Sequence, residues 1–298
     1  MSAFIDLLLN GAGAGAVYAL VGLGFVVIYK STGVINFAQG GLMLIGAYTA
    51  YNLHVTWGLP FWVAVPGAVI VGALVGMLLE VLVLRHMVGK PPFAQLMVTL
   101  GLLFVLQEIA ANIWGLSQLD LQSPWGNDTV SVLGAPIRVD GIWTIVLAAV
   151  LVGAFFIFFR YSRIGLAMRA TAIDQEAAAA QGISPRVVYQ ASWAIAGAVG
   201  ALAAVMAAAA PNALNPSLQL TALIAFPAVI LGGLDSPVGA VIGGLVIGIG
   251  RNIAAKYFGG WMPWLGQSFS DVFPYVVMIA VLLIRPYGLF GTREVRRI

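Results

Sequence analysis

The sequence contains no cysteine and only two histidines, His54 and His86. Disulfides, thiolate chemistry and metal clusters built from cysteine and histidine are therefore excluded. A full hydrophobic run separates the two histidines, so they cannot share a metal ion. The GxxxxGK[ST] phosphate-binding loop and the HExxH motif are also missing. We therefore expect that this chain binds no cofactor or metal and is not an enzyme.

Charged residues are also rare in the sequence. Only 8% of the 298 residues are charged and 61% are hydrophobic, whereas soluble domains carry roughly 25% charged residues. Because so few charges cannot cover a water-facing surface, the outer surface must face the lipid bilayer. The net charge of +3 comes from loops between the hydrophobic runs and does not indicate nucleic-acid binding.

Long uncharged runs predict an all-α fold, a polytopic transmembrane helical bundle that forms a single domain over residues 1–298. One membrane pass needs about 20 apolar residues, so the longest runs count as two passes. This rule predicts eight passes and a short extra segment near residues 220–234, where a broken or re-entrant helix is expected. The number of segments stays open between 8 and 9. The runs, uncharged apart from Glu108 and Arg251, are residues 7–29, 31–79, 93–115, 141–159, 187–234, 238–255 and 272–284.

Basic residues follow alternate passes and predict the orientation. They fall after the first, third, fifth and last passes, so these loops are expected in the cytoplasm and the N-terminus outside. A cytoplasmic C-terminus then favours nine crossings. Arg251 and Lys256 would lie in an outer loop and weaken this prediction. The basic residues of the inner loops are Lys30, Arg85, Lys90, Arg160, Arg163, Arg169, Arg186, Arg285, Arg293, Arg296 and Arg297.

The longest basic loop, residues 160–187, predicts a short exposed helix. Thr171 stands three residues before Asp174, which is the spacing of a capping box. The residues from Ala177 to Ala180 are strong helix formers, and Gly182 is a typical C-terminal stop. The small alanine face would let another protein dock closely, but an ordinary amphipathic connector explains the same pattern.

Two blocks place polar side chains beside paired glycines in apolar surroundings. Buried amides are costly unless they are hydrogen-bonded, so these blocks either join helices or line a path along a broken helix. Asn36 stands four residues before Gly40, and Asp235 stands four before Gly239. This weak echo leaves a two-fold internal repeat undecided. The candidate path residues are Asn36, Phe37, Gln39, Gly40, Gly41, Thr99, Gly232, Gly233, Asp235 and Ser236.

Two acidic residues fall inside hydrophobic runs. Glu108 shares a helix face with Asn112, and an intramembrane carboxylate is a functional hypothesis by default. Because Glu108 stands seven residues before Gly115, contact with lipid headgroups is the alternative. Glu80 lies near Arg85, and an ion pair or snorkelling explains it.

The stretch from Glu176 through Ala177 and Ala178 to Gly182 resembles the EAA loop of permease subunits in bacterial ABC importers. The wider chain resembles permeases of the branched-chain amino-acid type, and more closely the shorter of their two permeases. Five ordered blocks carry this resemblance and cover most of the chain. They include GAVYALVGLGFVVIY with INFAQGGLMLIGAY, VLRHMVGKPPFAQLMVTLGLLFVLQE, RIGLAMRATAIDQEAAAAQGI, FPAVILGGLDSPVGAVIGGLVIG and LLIRPYGLFG.

The resemblance implies a bacterial inner-membrane permease that works by alternating access. Its implied partners are a second homologous permease, two cytoplasmic ATPases that use ATP and Mg, and a periplasmic substrate-binding protein. Leucine, isoleucine and valine are the default cargo, while urea, short amides and aromatic acids remain open, as does a passive small-solute channel. The residues implied to couple the permease to its ATPases are Arg169, Asp174, Glu176, Ala177, Ala178 and Gly182.

Overall fold

The computed structural model describes residues 2–125, 128–132, 135–209, 214–261 and 269–292. Eleven α-helices and one short antiparallel hairpin make up most of the regular structure among these residues. The predicted all-α class is therefore confirmed. Three residues of the predicted C-terminal basic cluster, Arg293, Arg296 and Arg297, lie outside the described residues.

The elements follow one another with short connections. A π-helical turn extends α2 over Asn52–Thr56, and 3₁₀ turns occupy Leu84–Met87 and Pro216–Gln219. The helices are α1 (Ser2–Thr32), α2 (Gln39–Tyr51), α3 (Phe61–Leu82), α4 (Pro92–Trp114), α5 (Val139–Tyr161), α6 (Arg163–Ile173), α7 (Gln175–Ala180), α8 (Pro185–Ala208), α9 (Leu220–Gly232), α10 (Pro237–Trp261) and α11 (Phe269–Ile284); the strands are β1 (Thr129–Val132) and β2 (Ala135–Arg138).

Six helices of the described residues, α1, α3, α4, α5, α8 and α10, are long and apolar enough to cross a membrane. Two shorter apolar segments, Pro216–Gly232 and Phe269–Ile284, fall below that length. The chain is thus a multi-pass membrane protein. Helix length by itself does not confirm the predicted count of eight or nine segments.

The bundle has a buried centre and an apolar outer ring. In its most apolar stretch, α1 is 89% buried, whereas α5 is only 17% buried. The outer faces of α3 and α5 expose residues such as Ile70, Leu74 and Val150, as expected where lipid is the solvent. The central helices α1, α2 and α8 are therefore shielded from lipid along most of their length.

Glycines let the central helices approach one another closely. A Cβ added to Gly72 of α3 would lie 2.6 Å from the Gly197 carbonyl oxygen of α8. A Cβ added to Gly15 of α1 would lie 2.8 Å from the Leu245 Cα of α10. Such contacts supply the packing that associates helices where no hydrophobic effect does.

The helices break at two regions that the sequence singles out. α1 ends at Thr32 and α2 begins only at Gln39, after a segment that turns at Gly33. Near the C-terminus, α9 ends at Gly232 and α10 begins at Pro237, which confirms the break predicted at the paired glycines.

The ends of the helices define two sides of the bundle. The hairpin side carries β1 and β2, the end of α4 and the start of α5. The α7 side carries α6 and α7, the end of α5 and the start of α8. Lys30 near the end of α1 lies over the ring of Phe159 near the end of α5, so α1 also ends on the α7 side.

Substitution of Gly72 by valine should destabilise the protein by about 1–3 kcal/mol, because the new side chain would be forced into α8. A Cβ added to Gly153 of α5 would meet no atom within 4 Å, so Gly153→Val is the matched control and should change little. Thermal unfolding of the purified protein in detergent measures both. Equal effects of the two substitutions would contradict the tight α3–α8 contact.

Candidate functional site

A cluster of buried polar side chains lies at the middle of the bundle. Asn36, Gln39 and Thr99 are 0% exposed and Gln219 is 8% exposed. The Gln39 side-chain amide donates to the Ala196 carbonyl, near the midpoint of α8, at 3.1 Å. We call these four side chains the polar cluster. It sits about halfway between the two sides of the bundle.

The position of the cluster follows from the break between α1 and α2. After Gly33 the chain turns back into the bundle, and α2 starts beside the middle of α4: a Cβ at Gly40 would lie 3.2 Å from Leu103. The same Cβ would lie 2.8 Å from the Gln219 carbonyl oxygen, which immediately precedes α9. Two interrupted segments of the chain therefore meet at mid-depth.

Hydrogen bonds hold part of the cluster in place. Asn36 Nδ2 donates to Gln39 Oε1 at 3.4 Å. Thr99 Oγ1 accepts from the Phe37 backbone N–H at 3.2 Å and donates to the Leu96 carbonyl at 2.9 Å. Thr99 thereby ties the broken segment to α4.

Two amide oxygens in the cluster, Asn36 Oδ1 and Gln219 Oε1, have no hydrogen-bond donor among the described residues. A buried acceptor without a partner costs about 1–3 kcal/mol, so its presence in a folded protein calls for an explanation. Nearby, the first N–H groups of α2 at Gly40 and Gly41 have no partner inside that helix. The cluster thus offers acceptors for an ammonium or amide group and donors for an anion.

Aromatic side chains border the cluster on both sides. Toward the hairpin side, Tyr48 stacks on Trp114 with ring centroids 4.9 Å apart, and neither Tyr48 Oη nor Trp114 Nε1 has a partner among the described residues. Toward the α7 side, Phe37 packs against Phe226 at 5.3 Å.

Two cavities lie toward opposite sides of the bundle. The α7-side cavity, of about 150 Å³, is lined by residues that include Val34, Glu80, Gln175 and Tyr189. The hairpin-side cavity, of about 280 Å³, is lined by residues that include Tyr18, Arg138, Asp140, Thr144 and Thr221. Val34 is two residues from Asn36 and Thr221 is two residues from Gln219, but none of the four cluster side chains lines either cavity.

The mouth of the hairpin-side cavity carries an ion pair. Arg138 Nη2 and Asp140 Oδ2 are 2.8 Å apart, and Arg138 Nε also donates to Asp140 Oδ1. The hydrogen bond to Asp140 raises the pKa of the Arg138 guanidinium above its ordinary value, against a smaller opposing effect of burial. The two charges at this entrance therefore compensate each other.

The late block of candidate path residues lies elsewhere, on the α7 side. Asp235 accepts from the Thr292 backbone N–H at 3.2 Å, and Ser236 Oγ accepts from the Gly239 N–H at 3.0 Å at the start of α10. Gly232 packs on Gly239, and Gly233 has a φ of +110° against Gly291. Gly232, Gly233, Asp235 and Ser236 thus form a turn clasped by the C-terminal segment, and the structure does not bring them to the cluster.

The two blocks therefore lie at different depths, and the two-fold repeat stays undecided. Asn36 is at mid-depth, whereas Asp235 is at the α7-side end of the bundle, where its backbone oxygen accepts from Lys30 Nζ at 3.2 Å. The segment that does meet Asn36 contains Gln219, which sequence reasoning missed. The turn formers Asn215 and Pro216 just before it are the signal that could have located this second interruption.

The loop of residues 160–187 forms two short helices instead of one. Thr171 lies inside α6 and donates to the Ala167 carbonyl, so the predicted Thr171–Asp174 capping box does not form. Asp174 ends α6 and itself caps α7, accepting from the Ala177 N–H at 2.9 Å. Gly182 has a φ of +84° and closes α7, as predicted.

The predicted coupling residues differ in exposure. Glu176 and Ala177 are exposed on α7, but Ala178 is only 5% exposed, so its methyl group packs inward and cannot be part of a docking face. Arg169 donates to the Phe159 and Arg160 carbonyls at the end of α5. Gln175, which was not predicted, donates to Tyr189 Oη at 2.7 Å and joins α7 to the α7-side cavity.

Glu80 behaves as the sequence predicts. It is 1% exposed, and its carboxylate pairs with Arg85 at 3.0 Å. Arg251, by contrast, lies within α10 instead of an outer loop, where it donates to Tyr18 Oη at 2.7 Å and pairs with Asp271. Arg251 therefore departs from the basic-loop rule because its charge is paired with Asp271 within the bundle.

Comparison with known proteins decides the family. A family model described as the permease component of the branched-chain amino acid transport system matches residues 7–282. The chain belongs to this family. Its members are permeases of ABC importers, so the chain is a transport component and not an enzyme.

Three relatives illustrate the match to the branched-chain permease family. The chain is 30% identical to the high-affinity branched-chain amino acid permease LivH of Salmonella typhimurium, over 99% of this chain and 98% of LivH. It is 29% identical to BraD of Pseudomonas aeruginosa, over 99% and 98%. Against LivM of Escherichia coli, the identity is 28% over 92% of this chain but only 67% of LivM. The chain therefore resembles the shorter permease of the pair.

Replacing Gln39 by methionine should lower the free energy of unfolding by about 1–3 kcal/mol, because Asn36 Nδ2 loses its acceptor in a buried site. Ser192→Ala is the control: Ser192 is equally buried, but its hydroxyl bonds only to Val188 of its own helix. Thermal unfolding followed by tryptophan fluorescence compares the two. A larger loss for Ser192→Ala would refute the importance of the cluster.

Proposed function

We propose that the chain is one of two permease subunits of an importer for branched-chain amino acids, driven by separate ATPases. The observation that carries this proposal is the polar cluster, which is buried at mid-depth where two interrupted segments of the chain meet. Alternating access requires such a central site, opened first to one side and then to the other. Membership of the branched-chain permease family supports transport of amino acids as the function.

The proposed topology has nine membrane segments, with the hairpin side outside and the α7 side in the cytoplasm of a bacterial inner membrane. α2 with its π-helical turn, and the segment Pro216–Gly232, are then interrupted crossings instead of full ones. Their irregular backbone is tolerated because it is buried among other helices. Lys30, Arg85 and Arg160 fall on the cytoplasmic side, as the basic-loop rule expects.

The chemistry of the cluster suits a zwitterion with an aliphatic side chain. The free acceptors of Asn36 and Gln219 fit an ammonium group, and the N-terminus of α2 favours a carboxylate. Leu103 and Leu106, which pack on Gly40 and Gly41, supply apolar surface. We therefore propose Asn36, Phe37, Gln39, Gly40, Gly41 and Thr99 as the substrate path, and leave the residue 232–236 turn as a structural clasp.

Coupling to the ATPases is assigned to α7 with its flanking residues. Glu176 and Ala177 are exposed for docking, while Asp174 and Gly182 define the two ends of α7. Two contacts lead from this region into the bundle, from Arg169 to the end of α5 and from Gln175 to Tyr189. A movement of α7 would thereby reach the wall of the α7-side cavity. Periplasmic delivery of cargo by a binding protein completes the proposed cycle.

The cargo assignment is tested by uptake of radiolabelled leucine into proteoliposomes that contain the chain, its partner permease, the ATPases and the binding protein. Asn36→Leu should reduce uptake at least about tenfold, because the cluster loses both an amide acceptor and the partner of Gln39. Thr49→Val is the control, since the Thr49 hydroxyl donates only within α2. Uptake of urea or a short amide in place of leucine by the wild-type complex would refute the cargo.

The coupling role is tested by Gly182→Val. At a φ of +84° a β-branched residue is strained by about 1–3 kcal/mol, so the end of α7 should shift and ATP hydrolysis stimulated by loaded binding protein should fall severalfold. Gly115→Val is the matched control, because Gly115 has a φ of +82° and open surroundings but follows the end of α4 on the hairpin side. Normal stimulation in Gly182→Val, or equal loss in both variants, would contradict the assignment.

A further inference from the structure

The outer face of α4 differs from the outer faces of α3 and α5 because it carries a carboxylate between its ends. Glu108 is exposed, together with Phe104, Val105 and Asn112 on neighbouring turns. Its side-chain oxygens have no hydrogen bond or ion pair among the described residues; the bond from Asn112 Nδ2 reaches only its backbone carbonyl, at 2.8 Å. The charge at this position is therefore uncompensated within the described chain.

Glu108 lies too deep in the membrane for its carboxylate to contact the lipid headgroups readily. Leu103 is the central residue of α4, and a helix rises about 1.5 Å per residue. Glu108 therefore lies roughly 7 Å from mid-depth, well inside a hydrocarbon core that extends about 15 Å from its centre. Charged residues at such depths face the interior of a bundle or a partner, because lipid tails offer no compensating group.

Three carboxylates on other helices have cationic partners. Glu80 pairs with Arg85, Asp140 with Arg138, and Asp271 with Arg251. The outer faces of α3 and α5 are apolar between their ends, with residues such as Ile70, Leu74 and Val150 exposed. Lipid can therefore cover the outer faces of α3 and α5, but it offers no partner for the carboxylate on the outer face of α4.

The surface of α4 around Glu108 also permits close approach. Gly101 lies two turns before Glu108 on the exposed side, and a Cβ at Gly101 would meet no atom within 4 Å. Small residues at a helix surface let a second helix pack closely in a membrane. Uncompensated charge and an open glycine thus point to a protein neighbour on the same face.

We infer that this face of α4 is where the second permease subunit packs, with Glu108 as the polar anchor of the interface. This inference rests on the proposed pairing of two permeases. The partner is expected to bring a basic or hydrogen-bond-donating side chain against the carboxylate. The face is defined by Gly101, Phe104, Val105, Glu108 and Asn112. α4 would then separate the partner on one face from the polar cluster, through Thr99, on the other.

The chain contains no cysteine, so single cysteines can report on its surface without background. Val105→Cys on α4, and Ile70→Cys on α3 and Val150→Cys on α5 as controls, are labelled with a photoactivatable maleimide in membranes that contain the whole complex. After illumination, mass spectrometry identifies what each position captures. We expect the second permease from Val105→Cys and lipid from the two controls. Lipid alone from Val105→Cys, or capture of the second permease from α3 or α5 instead, would overturn the inference.

A second measurement follows the anchor itself. Glu108→Leu should reduce the amount of second permease that co-purifies with the tagged chain by about tenfold, because it leaves the partner's polar group unpaired. Ile113→Leu, exposed one turn further along α4, should leave recovery unchanged. Unchanged recovery with Glu108→Leu would count against the anchor. Neither measurement involves cargo or ATP, so a wrong cargo assignment would leave both results intact.

Discussion

The rest of the structure depends on one constraint: in a membrane, every backbone polar group must find its partner inside the protein. The chain nevertheless interrupts its helices at residues 33–38 and at the Pro216–Gln219 turn. These irregular segments are tolerated because a ring of continuous helices surrounds them, including α3, α4, α5 and α10. Burial at the centre is thus the condition for placing polar side chains at mid-depth.

Close packing between helices makes that burial possible. Gly24 and Gly200 leave room for the Gln39 side chain, since a Cβ at Gly200 would lie 2.7 Å from Gln39 Nε2. Glycines at the α1–α10 and α3–α8 contacts bring the surrounding helices equally close. The abundance of glycine in the sequence therefore has a definite use, which is to close a bundle around a polar centre.

The same architecture connects the coupling region proposed at α7 and the subunit interface proposed at α4 to the polar cluster. Thr99 ties the broken segment to α4, whose opposite face carries Glu108. Gln175 ties α7 to Tyr189, which lines the α7-side cavity. The α7 helix and the outer face of α4 are thus each linked by one contact to a helix beside the polar cluster. In a closely packed protein, a movement at either place can reach the cluster through few residues.

The sequence by itself determined the membrane class, the family resemblance, the break at Gly232 and the C-terminal end of α7, because these depend on composition or on residues close along the chain. Only the tertiary structure decided that Gln219 joins Asn36, that the Asp235 turn lies apart, that Ala178 points inward and that Arg251 is compensated by Asp271. Those outcomes depend on which helices pack together. An apolar run does not by itself show which face packs on protein and which face contacts lipid, because both surroundings are apolar.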